Sequence, residues 1–223
     1  MKILIEGDSW GRGEWDGAAN YNYGVRHTGL QYFLEQNNHV VTNNAGSGSS
    51  NSKVYNRLSK ITENFDIIFI FVTDTHRDLK LDQAENFWNF LYIDEYLERH
   101  NHLLKHYITQ LNSLDIGPLK LLGGLSKLNK NTVTDTKIEI AIPSILELIV
   151  PGSTQFDIFF EDYLHKLNGS FLKRNKSLLK DIYNQASKWK MYWKEPIMIP
   201  DTVHPNRHGH YEIFKSLKLK YNL

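Results

Sequence analysis

Two short clusters at opposite ends of the 223-residue chain hold the side-chain types that nucleophilic catalysis needs. Near the start, Gly7-Asp8-Ser9 follows an apolar run directly. Near the end, Asp201-Thr202-Val203-His204-Pro205-Asn206 sets a carboxylate and an imidazole three residues apart. A serine hydroxyl is a poor nucleophile until a base takes its proton, and that base must be held in one tautomer. Asp201 and His204, in a loop before a proline-started helix, can lie side by side, so that the carboxylate orients the imidazole. Each cluster alone has a plainer reading. Small turn residues often follow a strand, and a helix cap with an incidental histidine accounts for the second segment.

Further candidates surround these two. Trp10-Gly11-Arg12-Gly13-Glu14-Trp15 follows the serine, and its glycines let the loop pass close to a ligand. Its tryptophans either stack on a sugar ring or anchor the loop as buried indoles, with anchoring the plainer expectation. Trp10, Arg12, Thr73 and His76 are the candidate substrate contacts. His204, His208 and His210 invite a metal reading with Asp201. In a helix, however, His210 points away from the face shared by the other two, and His204 would have to be base and ligand at once. The expectation is ordinary surface histidines, no metal and no cofactor.

Composition narrows the classes. There is no cysteine, which excludes a disulfide scaffold, a thiolate nucleophile and a thiolate metal site. Lys plus Arg is 26 and Asp plus Glu is 25, for a net charge of +1. So even a balance gives no general attraction to nucleic acid or an anionic membrane. The Lys/Arg-rich stretch Tyr163–Lys194 reads as a solvated helix face sooner than as a basic patch. No apolar run approaches the ~18 residues of a membrane helix, and the N-terminal one is too short for a signal-peptide core. The expected location is the cytoplasm, and the partner is a small molecule. Oligomeric state is not legible.

The elements that must position these residues read as an alternation. Strands are expected at Lys2–Glu6, His39–Thr42, Asp66–Val72, Leu119–Gly123 and Lys137–Ile142. Asp66–Val72 is apolar without alternation, as in a strand buried on both faces of a parallel sheet. Helices are expected at Gly24–Gln36, from Asn51 to about Ile61, from Asp82 to about Leu114 with a break near His100-Asn101, over most of Phe156–Trp193, and at Pro205–Lys220. A short helical turn should follow Ile142, and a short extended piece Ile197–Ile199 lies further on. Alternation of this kind implies right-handed crossovers and helices on both faces of a parallel sheet. One domain, 1–223, is expected, with an insertion or lid around 124–155.

The two end clusters in one α/β chain resemble the SGNH (GDSL-type) hydrolase family. Block I of that family is Gly-Asp-Ser, matched by Gly7-Asp8-Ser9; block V is Asp-x-x-His, usually followed by Pro-Asn, matched by Asp201 to Asn206. Block II, a strand ending in Asn and a small-residue loop, is matched by Val41 to Gly48, with Gly48 the better-spaced oxyanion donor and Gly46 the second. Block III departs. The family's Gly-x-Asn-Asp supplies an amide donor, and here Asp74 stands at the Asn position. An ionised carboxylate accepts and cannot donate. Thr73 or Thr75 could donate instead, His76 or Arg77 could reach in, or Asp74 could turn away or hold a proton. An aromatic after the serine and an altered third block are also similar to proteins of this kind from phages, for which a virion-associated location is the alternative.

The resemblance implies a three-layer α/β/α sandwich around a mostly parallel sheet, of flavodoxin-like order. It implies a serine esterase with Ser9, Asp201 and His204 as triad and Ser9, Gly48 and the Asp74 position as oxyanion hole. The substrates implied are small acyl esters, including O-acetyl groups on glycans. The competing class is a non-catalytic glycan-binding or structural module on the same fold, which the Asp74 substitution favours.

Overall fold

The computed structural model describes residues 1–15, 25–27, 29–73, 75–78, 93–124, 127–129, 131, 133, 137–149, 205 and 207–223. The N-terminal apolar run forms strand β1 (Lys2–Glu6), which turns into a four-residue helix, α1 (Ser9–Arg12). A small antiparallel ribbon follows, made of β2 (Glu14–Trp15) and β3 (Val25–His27). Next come α2 (Leu30–Glu35), β4 (Val40–Asn43), α3 (Asn51–Leu58) and β5 (Ile67–Val72). A 3-10 turn at Thr75–Asp78 precedes α4 (Ile93–Asn112) and β6 (Leu119–Gly123). The remaining elements are β7 (Ile138–Ile142), α5 (Ile145–Ile149) and α6 (Arg207–Tyr221).

Five strands build one sheet in the order β4-β1-β5-β6-β7, and every neighbouring pair is parallel. The chain runs outward from β1 to β4, then crosses back to β5 on the other side of β1. Beyond the carboxyl ends of the strands, such a reversal opens a crevice in which ligands bind. Here it lies between β1 and β5.

Side chains alternate across a strand, and the packing follows that alternation. Ile3, Ile5, Phe69 and Phe71 pack with Leu30, Leu34, Ile145, Ile213 and Leu217, so α2, α5 and α6 cover one face. Leu4, Ile68, Ile70 and Val72 pack with Val54, Leu58, Leu104, Ile108 and Leu111, so α3 and α4 cover the other. All six residues of β5 are buried for this reason. The result is the three-layer α/β/α sandwich.

Several expectations need correction. The helix expected from Gly24 begins only at Leu30, because Val25–His27 pairs as a strand and Gly29 takes φ 62°, outside the helical region. No break occurs at His100-Asn101: α4 runs through it, with His100 buried and no glycine or proline to end the helix. Pro205 lies just ahead of α6 and not inside its first turn. The strand and capped helical turn expected after Lys137 are present within 124–155: Ile142, Ile145 and Ile149 are core residues, and the Ser144 hydroxyl caps α5 by accepting from Glu147 N–H at 3.1 Å. The expected helix over Phe156–Trp193, its Lys/Arg-rich face, the piece Ile197–Ile199 and the Asp82–Tyr92 part of the long helix lie outside the described residues.

Candidate active site

Ser9 stands at the carboxyl end of β1, beside the β1/β5 reversal. Gly7 puts it there. Its φ is +138°, and a Cβ on it would lie 2.6 Å from Phe71 Cβ and 2.7 Å from the Phe71 carbonyl oxygen. Only glycine lets β1 turn this close to β5. The Asp8 carboxylate then accepts from Trp10 N–H at 3.0 Å and caps α1, whose first residue is Ser9, 4% exposed. Gly11 seats α1 against Phe71 and Ala45, whose nearest atoms would lie 2.9 and 3.0 Å from a Cβ. Trp10 is 3% exposed and belongs to the core. It anchors the loop and offers no face to a sugar, which corrects its place among the substrate contacts. Arg12 is exposed in the last turn of α1.

The loop after β4 is fastened to this turn. Asn43 donates to the Gly11 carbonyl at 3.1 Å and accepts from Ala45 N–H at 3.0 Å. Asn44 N–H donates to Ile5 at 2.9 Å and Gly46 N–H to the Gly7 carbonyl at 3.0 Å. The Gly46 amide is therefore spent and does not serve an oxyanion. Gly48 is exposed at φ +64°, with nothing within 4 Å of a would-be Cβ, and no described residue accepts from its N–H. Of the two glycines it is the one with an amide to offer.

The third turn is held by side chains. Asn51, at the start of α3, reaches across to β5: its Oδ1 accepts from Thr73 N–H at 3.1 Å and its Nδ2 donates to the Thr73 carbonyl at 2.9 Å. Thr75 Oγ1 and His100 Nδ1 lie 2.9 Å apart, both residues buried. Asp78 accepts from Ser52 N–H at 2.8 Å. The Thr75 hydroxyl, 1% exposed and engaged with His100, is not available to a substrate, which removes one of the expected alternatives to Asp74. Asp74 itself, and the side chains of His76 and Arg77, lie outside the described residues, as do Asp201 and His204.

Beneath the Ser9 turn lies a charged pair that sequence reasoning missed. Glu6 is fully buried, and Arg57 donates to its Oε2 from Nε at 2.9 Å and from Nη2 at 2.7 Å. Nη2 also donates to the Gly7 carbonyl at 3.1 Å, and Nη1 to Ser49 Oγ at 3.1 Å. Burial pushes the Glu6 carboxyl above its ordinary range, and the bonds and charge of Arg57 oppose that shift. Tyr107, buried nearby, has its hydroxyl pushed far up by the same loss of solvent and by the negative charges of Asp78 and Glu6. One signal was legible: a charged residue ending a strand covered on both faces demands a partner. Asn51 and His100 carried no such mark.

His210 was expected at the surface and is instead fully buried, its ring packed beside Gly29, while His208 two residues earlier is exposed. Residues two apart leave a helix in different directions. Among the described residues, no group of three His, Asp or Glu side chains is placed to hold a metal, and no helix is long and apolar enough to cross a membrane.

Strand order and covered faces define a three-layer α/β/α protein, with a serine at the carboxyl end of β1 beside the reversal. Solved structures similar to it include esterases and a lipolytic protein. They include Axe2, an acetylxylan esterase from Geobacillus stearothermophilus, at 14% identity over 100% of this chain and 94% of that chain, with a TM-score of 0.47. Another is the psychrotrophic esterase EstA from Pseudoalteromonas sp., at 17% identity over 100% of this chain and 99% of that one, with a TM-score of 0.43. A member of the lipolytic protein G-D-S-L family from Veillonella parvula matches at 14% identity over 99% and 97%, with a TM-score of 0.43. No family model and no curated protein matches the sequence. Likenesses this distant carry no argument about chemistry, which rests on the residues.

Proposed function

We propose that the protein is a serine ester hydrolase of SGNH type. Ser9 Oγ attacks the carbonyl carbon of an acyl ester while His204 takes its proton. The tetrahedral intermediate collapses, the bond to the leaving oxygen breaks, and His204 returns the proton to the departing alcohol. Water, activated by His204, then releases the acyl group as a carboxylic acid and restores Ser9. Asp201 holds His204 in the tautomer this requires. The N–H groups of Ser9 and Gly48 bind the oxyanion, with the Asp74 turn supplying the third side of the hole. Substrates are small acyl esters, O-acetyl groups on glycans among them, contacted by Arg12 and His76, while Thr73, buried against Asn51, shapes the turn behind them.

The observation that carries this reading is the placement of Ser9. It stands at the reversal of the sheet, on a turn that Gly7 alone permits, with the open amide of Gly48 in the neighbouring loop. The test is labelling by a fluorophosphonate probe, with hydrolysis of p-nitrophenyl acetate in parallel. Both should occur, and Ser9→Ala should abolish labelling and cut kcat by ~10⁴-fold or more. If His204 is the base, kcat/KM rises with pH through an apparent pKa of ~6–7. A flat profile from about pH 5 to 8 removes His204 from that role.

Asp74 favours a second reading, a glycan-binding or structural module with a degraded oxyanion hole, because an acceptor stands where a donor is needed. Absence of both labelling and hydrolysis in the folded wild type selects this module.

A further inference from the structure

We infer that Arg57 is a positioning residue that locks the nucleophile turn and the Gly48 loop into one unit. What the unit does rests on the esterase reading; how it is held does not. The guanidinium of Arg57 touches three separate places: the Glu6 carboxylate, the Gly7 carbonyl and the Ser49 hydroxyl. Gly7 lies two residues before the candidate nucleophile, and Ser49 directly follows the candidate oxyanion donor. The Gly7 carbonyl also accepts from Gly46 N–H, so both of its acceptor directions are used.

The geometry suits arginine alone. A planar fork with fixed donor directions can bind a carboxylate, a carbonyl and a hydroxyl together, and a lysine ammonium cannot reproduce that pattern. Glu6, fully buried, cannot swing out to water, so it gives the fork a fixed anchor. Replacing a buried ion pair by apolar residues of similar volume is often neutral or stabilising. The pair is therefore better accounted for by the geometry it imposes than by stability. A displacement of about 1 Å between nucleophile and oxyanion donor is worth ~10²-fold in rate, and Arg57 bonds directly to the residue after the candidate donor and to the Gly7 carbonyl ahead of the candidate nucleophile.

Three variants test this: Arg57→Gln, Arg57→Lys and the double variant Glu6→Leu/Arg57→Met. Arg57→Gln should lower kcat on p-nitrophenyl acetate by ~10- to 100-fold while KM moves less than about 3-fold. Arg57→Lys should recover little of the loss. Amide hydrogen exchange should quicken together in peptides covering residues 7–12 and 45–50. The double variant, free of the unpaired buried charge, should regain the thermal stability lost by Arg57→Gln without regaining kcat. Wild-type kcat in Arg57→Gln or in the double variant overturns the proposal and leaves the esterase reading intact. Exchange that quickens only within α3 also overturns it. If the wild type neither hydrolyses nor labels, the esterase reading alone falls, and the exchange pattern decides whether the lock exists.

Discussion

Two turns flank the reversal of the sheet, one after β1 and one after β5, and they are held by different means. The first is fixed by close backbone packing, with the side chains of Arg57 and Asn43 bonded to its carbonyls. Gly7 and Gly11 press on Phe71 without room for a Cβ, and the loop from β4 bonds to main-chain atoms of the turn. The second is fixed by side chains drawn from the helices of one layer: Asn51 on Thr73, His100 on Thr75, and the start of α3 on Asp78. A turn clamped by contact tolerates almost no added atom. A turn clamped by polar side chains tolerates added volume at the surface but fails when one clamp is removed. The candidate nucleophile, Ser9, sits on the first kind, and the block at residues 73–78, which departs from the pattern that the chain resembles, on the second.

The largest effect expected from this contrast is at Gly7. Gly7→Ala forces a side chain at φ +138° and 2.6 Å from Phe71 Cβ, so stability should fall by at least ~3 kcal/mol in chemical denaturation. Wild-type stability in that variant would mean that the turn relaxes freely, erasing the difference between the two turns. Asn51→Ala comes next. It orphans the N–H and C=O of the buried Thr73, at ~2–4 kcal/mol, and exchange should quicken around residues 73–78 while the Gly7 turn keeps its protection. Loosening of both turns together would make them one unit.

Asp74→Asn is a smaller effect and a sharper probe. Should the carboxylate face the oxyanion site, an amide of nearly the same shape converts an acceptor into a donor. The expected outcome is a rise in kcat/KM on p-nitrophenyl acetate of ~10-fold. A clear loss of activity in the folded variant would assign the carboxylate a positive role and detach this block from the family pattern.

The smallest effect is electrostatic and lies away from both turns. Partial burial pushes Glu139 up, but its bonds to Lys120 and Lys220 and their charges outweigh this and hold it down at about 2. Its folded pKa is depressed, so its contribution to stability is present above about 4.5 and is lost as pH falls toward about 2. Glu139→Gln should flatten that acid limb by less than ~1 kcal/mol. Glu6, whose folded pKa is raised, has the opposite sign: its ionisation opposes folding as pH climbs past the ordinary carboxylate range.

Much of the framework was legible in the sequence because strands covered on both faces must be continuously apolar. Lys2–Glu6 and Asp66–Val72 needed no other clue. The start of α2 was not legible, because Val25–His27 suits a helix as well as a strand and only the antiparallel partner at Glu14–Trp15 decides between them. At the site, the turn that carries Ser9 could be read from Gly-Asp-Ser directly after an apolar run, since a tight turn leaves its mark within three residues. The supports could not. Arg57 lies 51 residues from Glu6, Asn51 lies 22 from Thr73, and His100 lies 25 from Thr75. Those pairings depend on which helix covers which face, and local patterns carry no trace of that.

Strand β1, which precedes the other strands of its sheet in the chain, lies between β4 and β5, and its pairing with β5 brings Lys2 N–H to within 2.7 Å of Asp66 Oδ2, 64 residues later. The shape of Gly7 likewise depends on Phe71. A chain emerging from the ribosome therefore carries its serine long before the partner that gives the turn its form. Contacts so distant in sequence are slow to form, and a fragment ending before β5 would hold the Gly-Asp-Ser residues without the bend that presents them. The bend at Ser9 is thus acquired only once β5 has joined β1, which separates the making of the residue from the making of the turn that presents it.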